Sequence, residues 1–350
     1  MKLPVHDFFV CLQCGSGDLS VVGGGVHTYR ERIDEARMLC DGCRETYPVV
    51  NGIPRFVSVN NYAGSFGLQW NRHRTAQLDS HTGLPISRNR LFEVTGWPER
   101  MDGETILEAG SGAGRFTEIL LGTGAEIFSF DYSSAVEANW LNNGHSPNLH
   151  LFQGDIFRIP CRQEAFDRVI CLGVLQHTPD PRKAFESLAR YVRPGGVLVV
   201  DVYSKRLLSL LGWKYLLRPV TKRMEKELLY RIVSHGVPTL IPFAKFLRRV
   251  AGRVGARVLP IVEYSHLGLP SELNREWAIL DTFDMYSPSH DHPQSLETVN
   301  RWFREAGFMD VVVRLGPNGI VGRGFKPARE LRRRLHGDPG GREMKRLGAK

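Results

Sequence analysis

From residue 103 onward, short apolar runs alternate with stretches whose apolar positions recur at helical spacing. The runs at 105–109 (TILEA), 125–130 (AEIFSF), 148–153 (NLHLFQ), 166–172 (FDRVICL) and 196–203 (GVLVVDVY) read as strands. Helices are predicted between them, near 114–122, 133–143 and 181–192. Strands that are apolar along most of their length belong in a parallel sheet covered on both faces. The alternation therefore predicts a doubly wound α/β domain. Residues 204–294 interrupt it with a leucine-, arginine- and lysine-rich segment that reads as a helical insertion. A helix at about 295–306 (SLETVNRWFREA) follows, stopped by Gly307. Strands at 308–314 (FMDVVVR) and about 319–325 (GIVGRGF) then form an antiparallel hairpin at the sheet edge. The expected division is a metal-binding segment over 1–59, a helical cap and linker over 60–102, the α/β domain over 103–325 with its insertion at 204–294, and a charged, disordered tail over 326–350.

Composition narrows the class. No stretch of the 350 residues approaches the ~20 apolar residues of a membrane span. The start, MKLPVHDFFVCLQC, lacks the charged-then-apolar order of a secretory signal. The expected location is cytoplasmic. The net charge of +9 is uneven: 204–260 holds thirteen Lys/Arg against two acids, and the tail nine against three. The basicity belongs to two segments, with phosphates or an anionic surface as their natural partners.

Four of the six cysteines form two pairs, Cys11-x-x-Cys14 and Cys40-x-x-Cys43. Each Cys-x-x-Cys turn aims two thiolates at one point, and two such turns suit tetrahedral Zn²⁺ with no open position, a structural site. A segment this small would draw much of its folding energy from the metal. With the run LCDGCRETYPVVNGIPRFV it resembles the zinc ribbons of small tRNA methyltransferase activator subunits and of some methyltransferases. Cys161 and Cys171 read as buried apolar residues.

The first strand runs into Glu108-x-Gly110-Ser111-Gly112-x-Gly114, and a helix begins directly after it. Glycines there let backbone N–H groups and the positive helix end approach a ligand closely. A dinucleotide fingerprint would place the third glycine three residues past the second, whereas here it comes two past, with Arg115 beyond it. This spacing, with an acid two residues before the first glycine, resembles motif I of the class I S-adenosylmethionine-dependent methyltransferases. Further positions agree in order: Asp131-Tyr132 ending the second strand, Gly154-Asp155-Ile156 after the third, Leu172 to His177 after the fourth, and Arg193-Pro194-Gly195-Gly196 before the fifth. The resemblance implies a seven-stranded Rossmann-like sheet and S-adenosylmethionine as cofactor. It places the ribose hydroxyls on Asp131, and the adenine on Asp155 and Ile156. Gln69 and Trp70, in the polar and aromatic stretch before the domain, could also touch the cofactor.

A sulfonium methyl has a good leaving group already, so acceptor positioning dominates the rate, with a base needed for a hydroxyl. His177, just past the fourth strand, is the first candidate base. The segment 281–294 (DTFDMYSPSHDHPQ), containing Tyr286 and His290, reads as an acceptor-side loop. The expected function is methyl transfer, chiefly O-methylation, to a small biosynthetic acceptor. Methylation of ribosomal or transfer RNA is the alternative enzyme reading, because one ribosomal RNA guanine methyltransferase family also joins a zinc ribbon to this domain. Against it, Leu175-Gln176-His177-Thr178 stands where amino-methylating nucleic-acid enzymes carry Asn/Asp-Pro-Pro-Tyr/Phe. Leucine-rich basic stretches at 207–217 and 243–258 add contact with a membrane surface as a third reading. A non-catalytic, cofactor-binding scaffold is the fourth. Acceptor atom and oligomeric state are not legible.

Overall fold

The structure, a computed structural model, describes residues 8–23, 36–58, 61–205 and 212–328. Four short antiparallel strands come first, paired in sequence order: β1 (Leu19–Val22), β2 (Ala36–Cys40), β3 (Thr46–Val50) and β4 (Ile53–Pro54). The β3–β4 turn is Asn51-Gly52, with φ of 53° and 77°, the left-handed pair that a tight hairpin demands. Helices α1 (Gly64–Arg72), α2 (Asp79–Thr82) and α3 (Ile86–Thr95) lead into the main sheet.

The main domain then runs β5 (Thr105–Ala109), α4 (Arg115–Leu121), β6 (Glu126–Asp131), α5 (Ala135–Asn143), β7 (Leu149–Gln153), β8 (Phe166–Cys171), α6 (Pro181–Tyr191) and β9 (Val192–Val202). After the insertion come α10 (Leu296–Glu305), β10 (Met309–Gly316) and β11 (Gly319–Phe325). The seven strands lie in the order β10-β11-β9-β8-β5-β6-β7. β5 to β9 are parallel, and the final hairpin adds antiparallel through β11 on β9, in keeping with the expected sheet.

Period-two alternation sends successive side chains to opposite faces. Ile106, Ile127 and Ile170 pack under α3, α4 and α5 with Leu91, Phe116 and Val136. Leu107, Phe128 and Val169 face the other way, toward Phe185 of α6 and Phe303 of α10. The cysteine-bearing sheet joins this second core: Phe9, Tyr47 and Phe56 pack with Phe128 and Phe152, and the Phe56 N–H donates to the Gln153 carbonyl at 2.9 Å. Local chemistry sets the helix starts. Asp180 caps α6 by accepting from the Lys183 N–H at 3.1 Å, with Pro181 behind it, and Ser295 caps α10 by accepting from the Thr298 N–H at 3.1 Å.

The insertion is helical as expected, with α7 (Trp213–Thr221), α8 (Lys226–Gly255) and α9 (Ser271–Tyr286). α8 carries Pro238 and Pro242 and is broken at Ala251-Gly252. It packs Leu229, Val233, Val237 and Ile241 against Ala278, Ile279 and Phe283 of α9. No helix among the described residues is long and apolar enough to cross a membrane.

Three expectations are corrected. The 281–294 loop is helical through Tyr286, because Thr282, Phe283 and Tyr286 complete the buried stripe of α9. The strand expected from 196 begins at Val192, with the 193–196 turn taken up as a break in register opposite Phe166 and Arg168. The tail expected to be free from 326 is held at its first residue. Lys326 is buried and donates to the Ala189 and Val192 carbonyls at 3.2 and 2.7 Å, and its backbone pairs with Gly195 and Gly196. The expectation for 329–350, like that for 206–211, lies outside the described residues.

Candidate active site

A cavity of about 380 Å³ opens at the carboxyl ends of β5, β6, β8 and β9, where doubly wound sheets bind ligands. Gly110, Ser111 and Gly112 form part of its wall. Gly110 has φ +79°, and a Cβ there would stand 2.2 Å from Val174 Cγ2, so no side chain fits. Asp131 closes the turn: one carboxylate oxygen accepts from the Gly112 N–H at 2.9 Å, the other from the Ser133 N–H and hydroxyl at 2.8 and 2.7 Å. Tyr132, Ile156, Leu172, Gln69 and Trp70 also line the cavity, with the Trp70 indole against the face of Gly112. Among the described residues the Ser111 hydroxyl is buried without a hydrogen-bond partner, as a turn that takes a polar ligand would leave it.

Three expected cofactor residues do not reach this cavity. Glu108 points into the protein, where Oε2 accepts from Thr117 Oγ1 at 2.6 Å and Ser129 Oγ at 2.7 Å, tying α4 to β6. Burial, which those two bonds only partly offset, raises its pKa to about 7. Gly114 begins α4 at φ +87°, and a Cβ there would meet Asn139 Oδ1 at 2.2 Å, so this glycine serves helix packing. Asp155 accepts from the Phe157 N–H at 2.9 Å and stands outside the lining, although its neighbour Ile156 is in it.

On the far side the lining turns polar. His177 is buried between Phe66 and Tyr203, ring centroids 5.1 and 5.4 Å away. Its Nδ1 lies 3.1 Å from the His290 carbonyl, which can only accept, so Nδ1 carries the proton and Nε2 the lone pair. Burial pushes the His177 pKa down to about 4, which keeps the ring neutral near pH 7. His290 thus acts through its backbone; its ring packs on Tyr62 and does not line the cavity. Tyr286, the third expected catalytic residue, sits in the α8–α9 core and donates to the Pro260 carbonyl at 2.9 Å, because helical continuation rotates it away from the site.

The insertion supplies Lys214, Tyr264, Asp281 and Asp284 to the same wall. Lys214 pairs with Asp291 at 2.9 Å. Asp281 accepts from Gln77 Nε2 at 3.3 Å and from the Tyr264 hydroxyl, and burial raises its pKa to about 6. Arg115 is held by Gln77 and by Ser87 Oγ at 3.2 Å, and Arg90 pairs with Asp201 at 2.7 Å. Among the described residues Asp284 accepts two long hydrogen bonds, at 3.5 Å each, from Gln69 Nε2 and the Tyr203 hydroxyl, and Gln69 Oε1 beside it has no hydrogen-bond partner. Arg90, Tyr203, Lys214 and Tyr264 were not legible as site residues, since each reaches the cavity from an element remote in sequence.

The four cysteines form a second site. Their sulfurs lie within 4.8 Å of one another, with Cys11–Cys43 and Cys14–Cys40 at 3.5 Å. Four sulfurs around Zn²⁺ at ~2.3 Å stand roughly 3.8 Å apart, so the donor set fits a closed structural zinc. The Tyr47 hydroxyl at 3.3 Å and the Gln13 N–H at 3.4 Å orient the Cys11 sulfur.

Sheet order, glycine turn and cavity together define a doubly wound nucleotide-cofactor domain. Residues 107–200 match the family model described as a methyltransferase domain, and the chain therefore carries one. Ubiquinone biosynthesis O-methyltransferase of Alkalilimnicola ehrlichii is 30% identical over 137 residues, which are 35% of this chain and 52% of that protein. The enzyme of the same name from Thiobacillus denitrificans is 28% identical over 124 residues, 33% of this chain and 53% of the other. The chain thus spans about half the length of these curated relatives. A solved S-adenosylmethionine-dependent methyltransferase from Aquifex aeolicus aligns over 76% of this chain and 97% of its own at 15% identity, with a TM-score of 0.38. S-adenosylmethionine is the cofactor that goes with this domain, and the glycine wall, Asp131 and the unpartnered Ser111 hydroxyl fit it.

Proposed function

We propose that this protein is an S-adenosylmethionine-dependent methyltransferase acting on a small-molecule acceptor, most simply on a hydroxyl group. One observation carries the reading: a single cavity runs from the glycine turn and Asp131 to His177 and the polar wall of the insertion. Gly110, Ser111, Gly112, Asp131, Tyr132, Ile156, Leu172, Gln69 and Trp70 would hold the cofactor, which supplies an activated methyl on a good leaving group. The chain's own task is then alignment. His177, with Nδ1 locked on the His290 carbonyl, offers Nε2 to take the proton of the acceptor hydroxyl. Asp284, reached only by two 3.5 Å hydrogen bonds among the described residues, would receive a second hydroxyl or an amino group of the acceptor.

The same reading assigns 1–59 to the ribbon, 60–102 to the cap, and 204–294 to the acceptor-side lid of the 103–325 domain. The test is incubation of the protein with methyl-labelled S-adenosylmethionine and, separately, a metabolite extract and total RNA, followed by mass spectrometry. Label in a small molecule supports the proposal. Label in ribosomal or transfer RNA replaces it with the RNA reading, and cofactor binding by calorimetry without any labelled product replaces it with a scaffold.

A further inference from the structure

The outer face of the insertion is apolar where a helix of a soluble protein is normally polar. α8 has two stripes. Leu229, Val233, Val237 and Ile241 face α9, and Leu228, Ile232, Phe243, Phe246 and Val250 face away from it. Phe243 and Phe246 are each 63% exposed and Val250 is 69% exposed. α7 repeats the pattern, with Leu216 and Val220 each 66% exposed. The start of α7 is held to the segment after α8, where the Trp213 indole N–H donates to the Val258 carbonyl at 2.8 Å. Large apolar side chains exposed in this number on two helices mark an interaction site.

Charge selects the occupant. Lys214 and Arg248 turn inward to Asp291 and Glu263. Lys222, Arg223, Arg231, Arg249 and Arg257 are exposed, and no described residue forms an ion pair with them. Apolar side chains flanked by unpaired cations match an anionic lipid surface, into whose headgroup boundary an amphipathic helix lays its apolar face. A nucleic acid would use the cations and leave Leu216, Val220 and Val250 in water, since aliphatic side chains have no face on which a base can stack. A second copy across a two-fold axis would set these like charges against one another. We propose that the outer face of α7 and α8 docks on an anionic bilayer.

The inner side of the same insertion lines the cavity through Lys214, Tyr264, Asp281 and Asp284. The outer face, and not the cavity wall, is thus the surface offered to the bilayer, and the docking does not rest on the methyl-transfer reading.

The test is co-sedimentation of the full chain with vesicles of phosphatidylcholine alone and of phosphatidylcholine with phosphatidylglycerol. Wild type is compared with the double variant Phe243→Ser/Phe246→Ser and with Arg249→Glu. Binding is expected to the anionic vesicles and to weaken about tenfold in the double variant. For Arg249→Glu, the loss of one cation weakens it about fivefold and the added acid more. Circular dichroism checks that the variants, changed only at exposed positions, stay folded. The proposal is overturned by protein that stays in the supernatant with both vesicle types. It is also overturned by binding that survives the double variant while salt abolishes it, the signature of a purely electrostatic, RNA-like surface. Dimers by sedimentation velocity that dissociate in the double variant, without vesicle binding, would assign the face to self-association. Neither vesicle assay depends on turnover, so failure of docking and failure of methyl transfer are told apart.

Discussion

Replacing Glu108 with Gln isolates a single buried proton. In the native protein Oε2 of Glu108 accepts both the Thr117 and the Ser129 hydroxyls, at 2.6 and 2.7 Å, in a site closed to solvent. Burial, only partly offset by these bonds, lifts the pKa from its ordinary 4.5 to about 7. Between those values the unfolded chain loses its proton while the folded chain keeps it. The stabilisation carried by the protonated carboxyl is therefore complete below pH 4.5 and is lost as pH rises to about 7. At ~1.4 kcal/mol per pKa unit the loss is roughly 3 kcal/mol. A glutamine with its carbonyl oxygen at the Oε2 position accepts the same two hydroxyls and cannot ionise. Urea unfolding of both proteins from about pH 5 to about pH 8 should show the variant gaining roughly 2–3 kcal/mol on wild type across that range. Cofactor affinity should change little, because the side chain faces away from the cavity. A stability difference that is flat with pH would refute the buried-proton argument, and loss of cofactor binding in a folded variant would return Glu108 to the site.

Gly114→Ala should lower the thermal midpoint without changing the cofactor affinity of the folded protein. Its φ of +87° costs ~1–2 kcal/mol for a side chain, and displacing the Asn139–Asn143 hydrogen bond adds ~1–3 kcal/mol. Differential scanning calorimetry with and without S-adenosylmethionine measures both. His177→Gln should reduce kcat on the order of 10²–10⁴-fold with little effect on the KM for cofactor. Since the ring is neutral down to about pH 4, the wild-type rate should show no histidine inflection near 6.5, and one there would contradict the burial of this residue. Native mass spectrometry should find one zinc per chain. Chelation should lower the midpoint of the whole protein and not of the ribbon alone, because Phe9, Tyr47 and Phe56 share a core with Phe128 and Phe152; a main-domain transition unmoved by chelation counts against that coupling.

The elements of the main domain were legible because each rests on local signals. Alternating apolar runs, the Gly110–Gly114 spacing and the Gly307 stop act within a few residues of themselves. The same holds for the Cys-x-x-Cys turns, where spacing alone converges the thiols. The polar residues of 281–294 read as a loop, which holds from Ser287 on, whereas Thr282, Phe283 and Tyr286 are buried together on α9. Tyr286 points away from the cavity because the helical turn sets its direction, which residue type does not report, and His290, past the end of α9, meets His177 through its backbone carbonyl.

By itself, then, the sequence determined the order of the elements, the zinc-binding turns and the glycine turn that selects a cofactor. Tertiary structure alone decided which polar groups meet in the cavity. Glu108 and Gly114 stand in the motif yet serve packing, while Arg90 from α3, Tyr203 just past β9, and Lys214 and Asp284 from the insertion converge on one wall. The physical reason is that hydrogen bonding and periodicity act between near neighbours along the chain. The lining of a cavity is set instead by how separate helices pack on one sheet edge, and no local pattern encodes that packing.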